Sequence, residues 1–189
     1  QQQASPAKQQ MPDVEHQLAL TLEELYTGTS KRVRITKRVF DSVSGRPEQV
    51  AVEKEIPVRP GWKDGTKITF EREGDEAPGV IPANIVFIIT SKPHEKFTRD
   101  GNDLLTTVDV TLVDALCNGV DTSIEHINGS MIRIREPSVT PQTEKVIRGE
   151  GMPISKNLPS RGNLRVKFNI IFPTLSANQV SQMQNILEG

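Results

Sequence analysis

Three histidines and one cysteine are the side chains of this 189-residue chain best suited to proton transfer, metal ligation or nucleophilic attack. His16, His94 and His126 are scattered, and none falls in an H-E-x-x-H pattern, where two imidazoles a helical turn apart would hold zinc beside a general base. Cys117 lies in the apolar stretch "DALCNG" and is expected to be a buried structural thiol rather than a nucleophile. "DGNDL" (100–104) brings carboxylates close together, but no Glu closes a twelve-residue calcium loop, so a capped turn is expected there. No glycine-rich loop follows a strand and opens a helix, which leaves phosphate cradling unsupported. The expectation is a protein without catalysis, metal or cofactor.

What remains is binding chemistry. "KRVRITKRVF" (31–40) gathers Lys31, Arg32, Arg34, Lys37 and Arg38 in a chain of 23 basic and 24 acidic residues with a net charge of −1. Near-neutral charge argues against general nucleic-acid affinity, which depends on neutralising phosphates. Aromatics make up only 4 % of the chain, too few for base-stacking platforms. The run alternates, placing Val33 and Ile35 on one face, as Leu18 and Leu20 share a face of an earlier segment. Facing outward, Val33 and Ile35 would form an apolar groove rimmed by Lys31, Arg32, Arg34 and Lys37. An extended acidic peptide could lie there as an added strand. Facing inward, they are core. The alternation admits both.

The elements that would position these residues occur twice. "LALTLEELYTG" (18–28) returns as "VDVTLVDALCNG" (108–119), one residue longer, with Thr21 and Leu22 matching Thr111 and Leu112. "TKITFEREG" (66–74) returns as "TEKVIRGEG" (143–151), and "ANIVFIIT" (83–90) as "GNLRVKFNI" (162–170), anchored on Asn84 and Asn163. Three matches in one order indicate a duplicated unit. Each copy consists mostly of short alternating strands, with one helical turn ending at Gly28 or Gly119. "INGS" (127–130) predicts a tight hairpin turn and "PGWKDGT" (60–66) a compact turn pair. The expected fold is all-β: two tandem small antiparallel β-sandwich domains with single helical turns, followed by a C-terminal helix. Its ranges are a disordered linker stub at 1–12, a first sandwich at 13–92, an interdomain segment at 93–103, a second sandwich at 104–173 and the helix at 174–189.

That last helix starts at a capping Ser176 and carries Val180, Met183, Ile186 and Leu187 as one apolar stripe. A terminal helix of this length is marginal in water, so it must pack on its own sandwich or on a second copy of the chain. The chain opens "QQQASPAKQQMP", with neither an initiator Met nor an apolar signal segment, and no run approaches membrane-spanning length. A fragment of a protein from a reducing, soluble compartment is expected. The strand after each helical turn also differs between copies: basic in "KRVRITKRVF", but "VDTSIEHI" with Asp121 and Glu125 in the second.

"LTLEELYTG", "GWKDGTKITFEREGDE", "PANIVFIITSKPHEKFTRDGNDL", "DALCNG", "GEGMP" and "RGNLRVKFNIIFP" together resemble the C-terminal substrate-binding region of the J-domain co-chaperones, the DnaJ family, from about Val14 onward. The resemblance implies two β-sandwiches and a C-terminal dimerisation helix, giving a homodimer through Val180, Met183, Ile186 and Leu187. It also implies a hydrophobic groove for unfolded client polypeptides at His16, Leu18, Val33, Ile35 and Phe97. Lys31, Arg32 and Arg34 would meet the acidic C-terminal tail of the seventy-kilodalton heat-shock chaperone. The family's J domain, with its His-Pro-Asp tripeptide, and its Cys-x-x-Cys-x-Gly-x-Gly repeats are missing from this sequence, which points to the zinc-free second class. A cytoplasmic location is implied, with the nucleus also open. The competing expectation is a structural assembly module that only dimerises and scaffolds a J domain.

Overall fold

A computed structural model describes residues 9–41 and 43–189. The expected linker stub at 1–12 thus lies mostly outside the described residues. Its described part, residues 9–12, is bonded: Met11 N–H donates to the Ile81 carbonyl and Ile81 N–H to the Gln9 carbonyl, each at 3.0 Å. The chain divides into two units, residues 1–95 with 152–162 and residues 96–151 with 163–189.

In the first unit the elements run β1 (Val14–Leu20), α1 (Leu22–Thr27), β2 (Thr29–Phe40), β3 (Pro47–Val58), β4 (Lys67–Phe70) and β5 (Ile85–Ser91). β5 is the centre of a three-stranded sheet ordered β1-β5-β4, and β2 pairs with β3 in a separate two-stranded ribbon. The central strand, "IVFIITS", lacks strict alternation because most of its residues are covered on both faces. Leu20, Leu25, Ile56, Ile85, Phe87 and Ile89 form the fully buried heart of the unit. α1 is short and depends on its ends. Thr21 accepts from the Glu24 N–H at 3.3 Å, while the Glu24 carboxylate accepts from the Thr21 N–H at 2.9 Å, a reciprocal cap that satisfies two otherwise orphaned donors. Gly28 stops the helix at φ 79°, where an added Cβ would lie 3.0 Å from the Val58 carbonyl oxygen.

The second unit contains β6 (Thr98–Asp100), β7 (Asp103–Thr111), a π-helical turn (Asp114–Asn118), β8 (Val120–Glu125), β9 (Met131–Glu136), β10 (Glu144–Ile147), β11 (Leu164–Ile171) and α2 (Ala177–Glu188). Its sheet runs β10-β11-β7-β6, with β8–β9 as the separate ribbon. Apart from β6, this is the topology of the first unit again, with β7, β11 and β10 in the places of β1, β5 and β4. Asn84 and Asn163 show why the repeat keeps an asparagine. Each backbone carbonyl accepts the N–H that opens the first strand, from Val14 at 2.8 Å and Leu104 at 2.9 Å. Each Oδ1 accepts an N–H from the segment after the short strand, from Arg72 at 2.9 Å and Gly149 at 3.4 Å. An amide side chain is therefore needed at the same junction in both units.

Three expectations change. The sheets are mixed rather than antiparallel, because β1 runs parallel to β5 and β7 to β11. Alternation within a strand carries no information about the direction of a distant partner. Second, segment 93–103 is not merely a connection, since it supplies β6 to the second unit, and residues 152–162 return to the first. Third, Cys117 is exposed. The residue by which the second copy exceeds the first widens an α-turn into a π-turn, leaving Leu116 60 % exposed beside it.

Candidate functional site

The β2–β3 ribbon separates the basic run into two rows. Lys31, Val33, Ile35, Lys37 and Val39 share the more buried face, and Arg32, Arg34, Thr36 and Arg38 are exposed. Ile35 is only 6 % exposed and belongs to the core, while Val33 is half-buried on the same side. The outward-facing reading of these two residues is therefore corrected. Both faces carry cations, but between Lys31 and Val39 the apolar residues occupy only one, and that face turns inward to be buried.

Four of the six cations of the ribbon meet a carboxylate of the same chain. On the inner face Lys31 pairs with Glu24 at 2.5 Å, Lys37 with Glu76 at 2.9 Å, and Lys54 with Glu73. The Lys54 ammonium also lies 5.2 Å from the centre of the Phe70 ring. Arg38 reaches Asp75 at 3.2 Å. On the exposed face the register sets Arg32 opposite Glu55 and Arg34 opposite Glu53, a favourable cross-strand arrangement. Among the described residues, Arg32 and Arg34 form no closed ion pair. The basic run by itself does not indicate the acidic partners at 73–76 or the cap at Glu24. The Thr-x-x-Glu spacing at 21–24 and the run "EREGDE" (71–76) were the available signals.

The sheet of this unit ends in β1 and β4, and β2 and β3 are both edges of the ribbon. The outer edge of β2 is occupied at Arg38, whose N–H donates to Asp75 Oδ1 at 2.9 Å and whose carbonyl accepts the Glu76 N–H at 2.8 Å. Among the described residues β1 pairs only with β5 and β2 only with β3. An unpaired edge leaves backbone N–H and C=O groups available to an incoming strand. His16 and Leu18 share the inner face of β1: His16 is half-buried with its ring 5.6 Å from that of Phe87, and Leu18 is 8 % exposed. The second unit handles the corresponding edge differently, since β6 pairs with β7 from Thr98 opposite Leu105 to Asp100 opposite Asp103. Phe97, the fifth expected groove residue, is 4 % exposed within the second unit, with its ring 6.1 Å from that of His126. His126 donates from Nε2 to the Glu150 carbonyl at 2.9 Å, and His94 pairs with Glu23 at 3.0 Å, so neither imidazole joins His16.

At the C-terminus, α2 is capped at both Ser176 and Gln179, yet it buries no residue. Val180 is 41 %, Ile186 74 % and Leu187 72 % exposed, and Met183 is half-buried. Met183 and Ile186 line a groove of about 310 Å³ together with Leu116, Cys117, Pro173 and Leu175. Among the described residues no group of three His, Cys, Asp or Glu is placed to hold a metal, and no helix is long and apolar enough to cross a membrane.

Residues 14–173 match the family description "DnaJ C terminal domain". The chain is 41 % identical over 189 residues to "DnaJ protein homolog 1" of Drosophila melanogaster, covering 98 % of this chain and 56 % of that protein. It is 41 % identical over 179 residues to human "DnaJ homolog subfamily B member 5", covering 93 % and 51 %. It is 40 % identical over 139 residues to human "DnaJ homolog subfamily A member 2", covering 70 % and 34 %. The chain spans about half the length of the first two relatives.

Proposed function

The chain belongs to the DnaJ family, whose C-terminal domain it carries, and on that footing we propose that it is a non-enzymatic co-chaperone region that captures extended polypeptide at the open edges of its first unit. Two kinds of ligand fit: unfolded clients, and the acidic C-terminal tail of the seventy-kilodalton heat-shock chaperone. The observation that carries this reading is the pair of strand edges on β1 and on β2 ahead of Arg38, set beside half-buried apolar side chains and a row of cations. In this arrangement the backbone of β2 supplies hydrogen bonds that any sequence can make, which suits a protein with many clients. His16, Leu18, Val33 and Ile35 give the inner side of the site, Ile35 mainly as its floor. Lys31, Arg32 and Arg34 attract carboxylates. Phe97 is left out of the groove.

Because Lys31 already has a carboxylate partner, binding of an acidic tail there exchanges one ion pair for another. Such exchange gains little affinity and is sensitive to salt. Titration of a labelled acidic tail peptide into the wild type and into Lys31→Glu/Arg34→Glu tests the assignment. The double variant is expected to bind at least tenfold more weakly while melting cooperatively, and equal affinity would refute the charge assignment.

We also assign α2 to homodimerisation, supported by its exposed stripe of Val180, Ile186 and Leu187 around Met183. A twelve-residue helix with no buried side chain gains too little within its own chain to stay formed in water. Two linked copies would present two capture sites to one client, which raises the effective affinity without new contacts. A cytoplasmic location accords with the single cysteine and the proposed heat-shock partner.

A further inference from the structure

The lysine at the head of β2 is already occupied by an internal carboxylate. Glu24 divides its two oxygens: Oε2 accepts from the Thr21 N–H at 2.9 Å, and Oε1 pairs with the Lys31 ammonium at 2.5 Å. The side chains are 24 % and 35 % exposed, so the pair is partly shielded yet reachable. Burial by itself pushes the Glu24 carboxyl up. The Lys31 ammonium, the Thr21 amide and the nearby Lys92 outweigh it and hold the group below the usual range. The other inner-face lysines of the ribbon pair with Glu73 and Glu76, which follow β4 and cap no helix.

We propose that Glu24 acts as an internal competitor for acidic peptides, holding Lys31 until a ligand with several carboxylates displaces it. This rests on the reading of the first unit as a site for such peptides. A ligand carboxylate approaching Lys31 replaces Oε1, while Oε2 stays on the Thr21 amide, so α1 keeps its cap throughout the exchange. Glu24 then remains close by as a negative charge. A peptide with one carboxylate gains almost nothing from trading places with it. A peptide whose further carboxylates reach Arg32 or Arg34 gains contacts that Glu24 cannot replace. The competitor thus favours clustered acidic ligands and keeps the complex easily reversible.

Glu24→Gln separates the two roles, because a glutamine amide oxygen can still accept from the cap N–H. A short synthetic peptide with several acidic side chains and a free carboxyl terminus is titrated at low salt into five proteins: wild type, Glu24→Gln, Lys31→Ala, Glu24→Gln/Lys31→Ala and Glu53→Gln. Glu24→Gln is expected to bind it about two- to fivefold more tightly than wild type, the range an exposed ion pair represents. The gain should disappear in Glu24→Gln/Lys31→Ala. Glu53→Gln, which removes the same charge from the exposed face, should give a clearly smaller gain. Wild-type-like binding by Glu24→Gln overturns the competition, as does an equal gain from Glu53→Gln. Where wild type binds and Lys31→Ala weakens it, such a result sinks the competitor alone. If the peptide does not bind wild type at all, the peptide-site reading falls and takes the competitor with it. Should Glu24→Gln fail to fold, the side-chain carboxyl resonance of Glu24 in wild type decides. It should move when peptide is added, and a stationary signal overturns the proposal.

Discussion

Gly61 and Gly65 share a backbone angle, φ 81°, but not their surroundings, and replacing each with alanine separates two costs that are usually mixed. At Gly65 an added Cβ meets nothing within 4 Å, so Gly65→Ala carries only the left-handed backbone penalty, about 1–2 kcal/mol. At Gly61 the same atom would lie 2.2 Å from the Pro153 carbonyl oxygen and 2.9 Å from the Ser155 nitrogen. Both belong to backbone, so no side-chain rotation relieves the clash. The returning segment 152–162 must shift, and with it the buried Met152 and the Arg161 guanidinium that stands 4.9 Å from the Tyr26 ring. Overpacking of this kind adds about 1–3 kcal/mol. Gly61→Ala should therefore cost about 2–5 kcal/mol in all, and at roughly 2–4 °C per kcal/mol for a chain of this size its melting point should fall by about 4–20 °C. Gly65→Ala should lose only a few degrees. Thermal unfolding followed by circular dichroism compares the two, and equal melting points would refute the placement of residues 152–162 in the first unit.

Met183→Asp/Leu187→Asp should give monomers by light scattering, because it places charge in the stripe that the proposed partner covers. Cys117, which lines the adjoining groove, should react with a maleimide more slowly in wild type than in that variant, and identical rates would argue that the partner leaves the groove open. The Asp121 carboxylate, bonded by Arg133 and Arg135, is held down to about 2 against its ordinary 3.8. Its folded value lies below its unfolded value, so its contribution to stability is present above about 4 and disappears as pH falls through about 2. Asp121→Asn should flatten stability against pH in that window by losing the stabilisation on the neutral side, so that the two proteins differ most above about pH 4 and converge in acid, as chemical denaturation between about pH 2 and 7 would show.

Much of this architecture could be read from the sequence because duplication repeats its constraints. The Asn84 and Asn163 anchors, the glycines that end both helical turns and the extra residue behind the π-turn are local features, each with a local physical cause. The orientation of the basic strand was not legible in the same way. Lys31 and Lys37 sit on one face and Arg32, Arg34 and Arg38 on the other, so charge could not indicate which face is buried. Nor did alternation reveal that β5 lies parallel to β1, or that Glu73, Asp75 and Glu76 answer the cations of a ribbon 35 or more positions earlier for Lys37 and Arg38. Such pairings depend on how the chain returns, which no local window contains. The groove suffered most from this, since four of its five expected residues lie in the first unit and Phe97 in the second.

The central claim is that the outer edge of β2 ahead of Arg38, where Asp75 and Glu76 close it, takes up an incoming strand. Amide hydrogen exchange across Thr29–Phe40, with and without a saturating acidic peptide, measures this most directly. Peptide should slow exchange at alternate amides of β2, those that bond neither to β3 nor, like Arg38, to Asp75. Unchanged exchange along β2 in a complex shown to be saturated would contradict strand addition.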